Sequence, residues 1–214
     1  MNVIFLTLAS VDSVEHRGIY QDLLRKFRNE GHDVTIVTPV ERRQKISTNF
    51  KQKDGVSILQ VKTFNIQKTN IVEKGIGTLA IEFQFLSSIK KYLADKKFDL
   101  VLYSTPPITF AKVIEFIKKR DNAYSYLLLK DIFPQNAVDM EMLREGGFIH
   151  KQFVKKEKKL YQISDTIGCM SPANVSFVLK HNQEVNSQKI EVNPNTIEPI
   201  RFSYSDDDKK SNPE

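Results

Sequence analysis

Residues 3–39, VIFLTLASVDSVEHRGIYQDLLRKFRNEGHDVTIVTP, change their hydrophobic period twice. The apolar run at 3–8 has the pattern of a strand buried on both faces. A polar loop follows at 10–17. From Gly18 onward, Ile19, Leu23, Leu24 and Phe27 recur at helical spacing. Gly31 then supplies the residue that helices take just past their C-terminus. DVTIVT at 33–38 is a second strand, which Pro39 is expected to stop. Strand, helix and strand with short connections make a parallel crossover unit.

The same alternation continues outward. Residues 40–54 are polar and basic and read as a mobile loop, followed by a strand at 56–64 and a second loop at 65–74. A long amphipathic helix is expected over 77–94, with Leu79, Ile81, Phe83, Phe85, Leu86 and Ile89 forming its apolar face. FDLVLY at 98–103 is a strand, and Pro107 is placed to start a helix over 108–120. YSYLLLK at 124–130 is the next strand. A short helix before Gly146 and Gly147, a lysine-rich helix at 148–163, and a buried strand at 165–170 come after it. Ser171 and Pro172 have the N-cap and first-turn signature of another helix. KIEV at 189–192 is a last strand. The polar segment 203–214 reads as a disordered tail, leaving one domain over 1–202. The pattern as a whole predicts an α/β fold, a Rossmann-like doubly wound parallel sheet.

Composition narrows the partners. The chain has 214 residues, ordinary globular composition, a net charge of +6, and one cysteine, Cys169, so no internal disulfide can form. A single cysteine fits a reducing cytoplasm. No stretch approaches the roughly 18 apolar residues of a membrane span, and the N-terminus lacks the basic start of a signal peptide. The positive balance suits an anionic partner such as a phosphorylated ligand or a membrane surface. No nucleic-acid motif and no interleaved aromatic and basic platform is present, so nucleic acid is not expected. GxGxxG, GxxxxGK[ST] and GxSxG are all missing. The four histidines are dispersed, and no metal site is expected.

In a parallel sheet, ligands meet the C-terminal ends of the strands. That rule selects the loops at 9–18, 104–107, 131–136 and 170–173 as one rim. On the first loop His16, Arg17 and Gly18 are candidate substrate contacts at a helix N-terminus, a position that favours anions. Gly18 is equally read as a plain helix start. Ser104 and Thr105 end one strand, and Lys130 and Asp131 end another. Asp131 is the candidate catalytic carboxylate; bracing a loop or capping a helix is its structural alternative. Gln135 and Asn136 could hydrogen-bond sugar or phosphate oxygens. Lys151, Lys155, Lys156, Lys158 and Lys159 form either a solvated helix face or a surface for anionic lipid. The helix at 77–94 with the basic loop 41–53 is a second candidate for membrane docking.

Five segments, in order, resemble the N-terminal halves of family 4 glycosyltransferases of the bacterial capsular and exopolysaccharide type. MNVIFLTLAS with RGIYQDLLRKFRNEGHDVTIVTP resembles their first strand, glycine-led helix and GHxVxVxTP strand. FDLVLYSTPPITFA is similar to their D-hydrophobic-S-x-PP turn, and YLLLKDIFPQNAVDM to their RDLWPES-like segment. DTIGCMSPANVSFVL resembles a D-x-I-x-x-x-S unit, and KIEVNPNTIEP the V-x-PN-x-ID stretch that closes the N-terminal domain. The resemblance implies one half of a GT-B fold and transfer with retention. It implies a nucleotide-sugar donor held by a C-terminal donor-binding domain or separate subunit, so no cofactor is expected in this chain. The acceptor would be a lipid-linked saccharide at the inner face of the plasma membrane, with the protein cytoplasmic and peripheral there. Two departures stand out. Only Gly18 occupies the place of the family's Gly-Gly pair, and the E-x7-E donor motif lies beyond this stretch. The chain alone is therefore expected not to catalyse transfer. A non-catalytic membrane-recruiting subunit of a split enzyme, and an unrelated flavodoxin-like or nucleotide-binding domain, are the alternatives.

Overall fold

The computed structural model describes residues 1–66 and 71–199, with the side chains of 71–76, 78 and 79 outside the description. The Leu79 side chain, part of the 65–74 loop and the whole 203–214 tail therefore lie outside the described residues. Among the described residues, eight strands and six α-helices follow in chain order. They are β1 (Asn2–Leu6), α1 (Ile19–Asn29), β2 (Asp33–Glu41), β3 (Asn49–Lys53), β4 (Val56–Thr63), α2 (Ile71–Tyr92), β5 (Leu100–Ser104), α3 (Ala111–Asp121), β6 (Tyr124–Leu129), α4 (Gln135–Asp139), α5 (Phe148–Ile163), β7 (Thr166–Cys169), α6 (Pro172–His181) and β8 (Ile190–Val192). The sheet order is β3-β4-β2-β1-β5-β6-β7-β8, and every pair is parallel except β3 with β4. The expected α/β parallel architecture is present.

The apolar runs form two cores, one on each sheet face. Ile4, Leu6, Val101, Tyr103 and Leu127 face Ile81 and Phe85 of α2, Val113 and Ile117 of α3, Leu160 of α5 and Val178 of α6. Val3, Phe5, Val34, Ile36 and Leu102 face Leu24 of α1. Each buried Val, Leu, Ile or Phe among them contributes roughly 1.5–3 kcal/mol. The order reverses between β1 and β5, because α1 leaves β1 toward one face while α3 leaves β5 toward the other. This reversal opens a crevice at the strand C-termini.

Four details differ from the sequence expectation. β2 runs through Pro39 to Glu41. Val37 O accepts from Thr7 N on the β1 side, where β1 ends, so Pro39, two residues on, faces that vacant side and forfeits no ladder bond. The supposed loop 40–54 contains β3, which returns through Asp54 (φ 53°) and Gly55 (φ 71°) to pair antiparallel with β4. That Asp-Gly pair with both φ positive is the primed two-residue hairpin turn. α2 begins at Ile71, and Phe83 points outward, with 74% of its surface exposed. α3 begins at Ala111 rather than beside Pro107. Phe110 is buried against Phe85, ring centroids 4.9 Å apart, and the chain turns into helix only after that anchor. Glu82 Oε1 then accepts from Lys112 N at 2.7 Å, a cap supplied by α2.

Gly31 sits past the end of α1 at φ 80°, and Ser171 Oγ accepts from Asn174 N at 3.2 Å as an N-cap, both as the sequence indicates.

Candidate functional site

The parallel register sets the ends of β1, β5, β6, β7 and β8 along one rim. At its centre β5 and β6 are stitched by Thr105. Its N–H donates to Leu128 O at 3.2 Å, and its hydroxyl donates to Asp131 O at 3.2 Å while accepting from Lys130 N at 3.1 Å. Thr105 and Ser104 are both 2% exposed. A buried hydroxyl that bridges two strand ends fixes where the neighbouring side chains emerge.

Tyr20, in the first turn of α1, closes the crevice from the β1 side. Its ring packs on Phe5 at 5.1 Å, and its hydroxyl lies near the Ser104 side chain. Burial pushes the Tyr20 hydroxyl above its ordinary pKa, with the Asp131 charge acting in the same direction, so it remains a neutral donor. Asp131 itself is exposed. Lys130 is half-buried, and that burial holds its ammonium below the ordinary lysine value. A cation partly stripped of water gains most from an anionic partner. Lys130 lines a small cleft of about 40 Å³ with Tyr20, Leu23, Asn193, Asn195 and Thr196. Neutral hydrogen-bonding groups and one cation thus converge at the switch point, beside an exposed carboxylate.

Residues 193–199 supply the far wall of this cleft. Asn193 N donates to Cys169 O at 2.6 Å, and Asn193 Nδ2 to Tyr126 Oη at 2.6 Å. At the other end Glu198 N donates to Asp22 Oδ2 at 2.9 Å, and Glu198 Oε2 accepts from Arg25 Nη2 at 2.8 Å. The segment therefore straps β7 and β8 back onto α1. Burial by itself would raise the Asp22 pKa. Hydrogen bonds from Glu198 N, Arg25 and Gly18 N, with the Arg17 charge, outweigh it and hold the carboxyl below its usual range. The first turn of α1 and Arg17 are consequently met by the chain's own carboxylates.

Of the sequence candidates, Ser104, Thr105, Lys130 and Asp131 come together. Gly18 is the N-cap of α1, with extended backbone and its N–H 3.3 Å from Asp22 Oδ1. Arg17 donates to Glu198 O and lies 3.4 Å from Asp22 Oδ2. His16 is largely exposed, with Nδ1 3.5 Å from Asp12 Oδ1. Val11 and Val14 are fully buried and Ser13 donates to Asp54, which draws the 9–18 loop toward the β3–β4 hairpin. Gln135 Nε2 donates to Asp139 at 2.8 Å within α4, and Asn136 Oδ1 is buried with no hydrogen-bond partner among the described residues. Tyr20 and residues 193–196 were not singled out from the sequence. Tyr20 falls on the apolar stripe of its helix, and NPNT entered only as part of the segment that resembles the end of a glycosyltransferase N-terminal domain, with no contact assigned to it.

A second concavity, of about 590 Å³, lies elsewhere, between α3 and α5 at Glu115, Lys118, Lys119, Gln162 and Ile163. It lies beside the N-terminal ends of β6 and β7, away from the rim. Lys118 is already bound there to Asp165 Oδ2 at 2.6 Å and to Ile163 O at 2.8 Å. Its shape and chemistry favour it less than the rim.

No family model and no curated protein matches the sequence. Solved structures do match its fold. The chain is similar to a structure from E. coli described as trehalose-6-phosphate bound with UDP-2-fluoro glucose, at TM-score 0.54 and 8% identity, covering 86% of this chain and 41% of that one. It is similar to CalG4, the calicheamicin glycosyltransferase, at TM-score 0.51 and 12% identity, covering 81% and 48%. The glycotransferase of kitacinnamycin gives TM-score 0.50 and 10% identity, covering 96% and 55%. The chain thus has a Rossmann-like fold of the kind that forms one half of the GT-B architecture. The chain spans about half the length of these structures.

Proposed function

We propose that the chain is the acceptor-binding half of a retaining glycosyltransferase, moving a sugar from a nucleotide-sugar donor to a lipid-linked saccharide in surface polysaccharide synthesis. The observation that carries the reading is the convergence of Tyr20, Ser104, Lys130 and Asp131 at the switch point of a GT-B-like half. The five ordered segments that resemble family 4 enzymes support the finer class. In this reading Lys130 pairs with an acceptor phosphate, and Tyr20 with Asn195 binds saccharide oxygens. Asp131 orients the acceptor hydroxyl and draws its proton. Positioning and electrostatics supply the rate once a donor half closes over the rim. No described helix is long and apolar enough to cross a membrane, so the lipid-linked acceptor would be met from the bilayer surface.

Calorimetric titration separates this reading from a nucleotide-binding domain. A short-chain, water-soluble polyprenyl-diphosphate monosaccharide should bind the isolated chain, and uridine diphosphate only weakly. Lys130→Ala should weaken acceptor binding about tenfold or more, the scale of a lost charge-assisted hydrogen bond. Tight nucleotide binding indifferent to Lys130 would contradict the proposal, as would sugar transfer by this chain alone.

A further inference from the structure

The cleft at Lys130 is too small for the ligand its chemistry suits. It encloses about 40 Å³, room for about one water molecule, whereas small-molecule pockets span roughly 300–1,000 Å³. Two of its walls belong to α1 and the end of β6, which the cores hold in place. The third wall is the strap, through Asn193, Asn195 and Thr196. Residues 194–199 are all exposed, and 194–197 make no hydrogen bond among the described residues. This wall is therefore held at its two ends.

The two ends are built differently. Asn193 is tied into the sheet: its N–H donates to Cys169 O at 2.6 Å and its side chain to Tyr126 Oη at 2.6 Å. Glu198 instead plugs a socket. Asp22 and Arg25 are only 6% and 8% exposed, and Arg25 is pinned by bonds that do not involve the strap. Its Nη2 donates to Asp22 Oδ1 at 2.6 Å, and its Nη1 to His16 O at 3.3 Å and to Val14 O. Glu198 joins this pair from outside. Its carboxylate accepts from Arg25 Nε at 3.2 Å and Nη2 at 2.8 Å, its N–H donates to Asp22 Oδ2 at 2.9 Å, and its carbonyl accepts from Arg17. The Glu198 side chain remains 56% exposed. Pulling the plug breaks these bonds and no core packing, the signature of a low-stability segment. Asp22 and Arg25 stay paired afterwards, so no buried charge is left alone.

We infer that residues 193–199 are a lid over the Lys130 cleft, hinged at Asn193 and latched by Glu198 in the Asp22–Arg25 socket, and that the latch opens before a sugar phosphate enters. The inference rests on the acceptor reading for the identity of that ligand. Asn195 is two residues from the hinge and stays within about 7 Å of it, so it keeps its place at the cleft while the Glu198 end swings out. Asp22, Arg25 and Glu198 act through this wall and are positioning residues. The apparent affinity is the affinity of the open form scaled by the fraction open, so weakening the latch strengthens binding. A structural role alone predicts the reverse.

Glu198→Ala and Asp22→Asn in the full chain test the latch, with circular dichroism melts to establish that each variant is folded. Hydrogen exchange of the amide at position 198 should quicken about tenfold, the scale of a lost charge-assisted bond. Acetylation of Lys130 by an N-hydroxysuccinimide ester, followed by mass spectrometry against the exposed Lys119, should speed up at least about threefold. The association rate of the water-soluble polyprenyl-diphosphate monosaccharide should rise and its Kd fall by a similar factor. Unchanged Lys130 acetylation in folded Glu198→Ala overturns the inference, as does an affinity for the analogue that drops when the latch is broken. Faster acetylation in a chain that binds no analogue supports the lid and removes the acceptor reading. Analogue binding with unchanged acetylation removes the lid and keeps that reading.

Discussion

Glu157 is a carboxyl in the wrong surroundings for its charge. It is buried on α5, and that burial raises its pKa to about 7, although Tyr161 Oη donates to it at 2.8 Å. The sign of the linkage follows. A carboxyl whose folded pKa exceeds its unfolded value favours folding in acid, and that contribution is lost as pH rises from the ordinary carboxylate range through about 7. Glu157→Gln keeps the acceptor for Tyr161 and removes the charge. It should stabilise the chain at pH about 8, by on the order of 2 kcal/mol, and change little at about pH 5. Urea unfolding at the two pH values checks this; equal effects at both would show that the buried charge is not the cause. Asp22 and Asp165 act in the opposite direction. Their folded pKa values are lowered by hydrogen bonds and cations that outweigh burial, so their stabilisation is present at neutral pH and lost in acid. At this scale the sequence was informative only where geometry made it so. Ser104, Thr105, Lys130 and Asp131 were found because strand C-termini share a rim. Glu157 looked like one more charge in a lysine-rich helix, since nothing local reveals which face is buried.

Gly168 shows how one element constrains another. A Cβ there would meet Tyr126 Oη at 2.5 Å and Asn193 Cβ at 2.8 Å. Those atoms belong to the junction where the 193–199 strap leaves β8, and Tyr126 Oη also donates to Glu191 Oε1 at 2.6 Å. Gly168→Ala should destabilise the chain by about 1–3 kcal/mol, the range for overpacking. Tyr126→Phe removes the nearer contact, so the double variant should lose less than the sum of the singles in a denaturation cycle. Strict additivity would show that the Tyr126 hydroxyl is not what the methyl meets. The elements themselves were largely legible. Continuous apolar runs revealed the central strands, and Gly31 and Ser171-Pro172 marked helix ends through local chemistry that tertiary contacts did not override. β3 escaped because it is a polar edge strand, mostly exposed, so its hydrophobic pattern is weak; the Asp-Gly pair at 54–55, unused in reading the sequence, is its one local signal. The start of α3 escaped because it depends on Phe110 meeting Phe85 and on a cap from Glu82, both distant in sequence.

At the scale of the whole molecule, the reversal of strand order between β1 and β5 places a crevice where α1, β5, β6 and the strap converge. The groups in it are a desolvated lysine, a neutral tyrosine, amides and an exposed carboxylate. Such a set suits a phosphorylated, hydroxyl-rich ligand. Heteronuclear NMR of the 24.7 kDa chain, titrated with the soluble polyprenyl-diphosphate monosaccharide, tests the central claim most directly. The account predicts amide shifts concentrated at Tyr20, Ser104–Thr105, Lys130–Asp131 and residues 193–196. Shifts gathered instead around Lys118 and Ile163, or a rim that responds to uridine diphosphate and not to the acceptor, would contradict it.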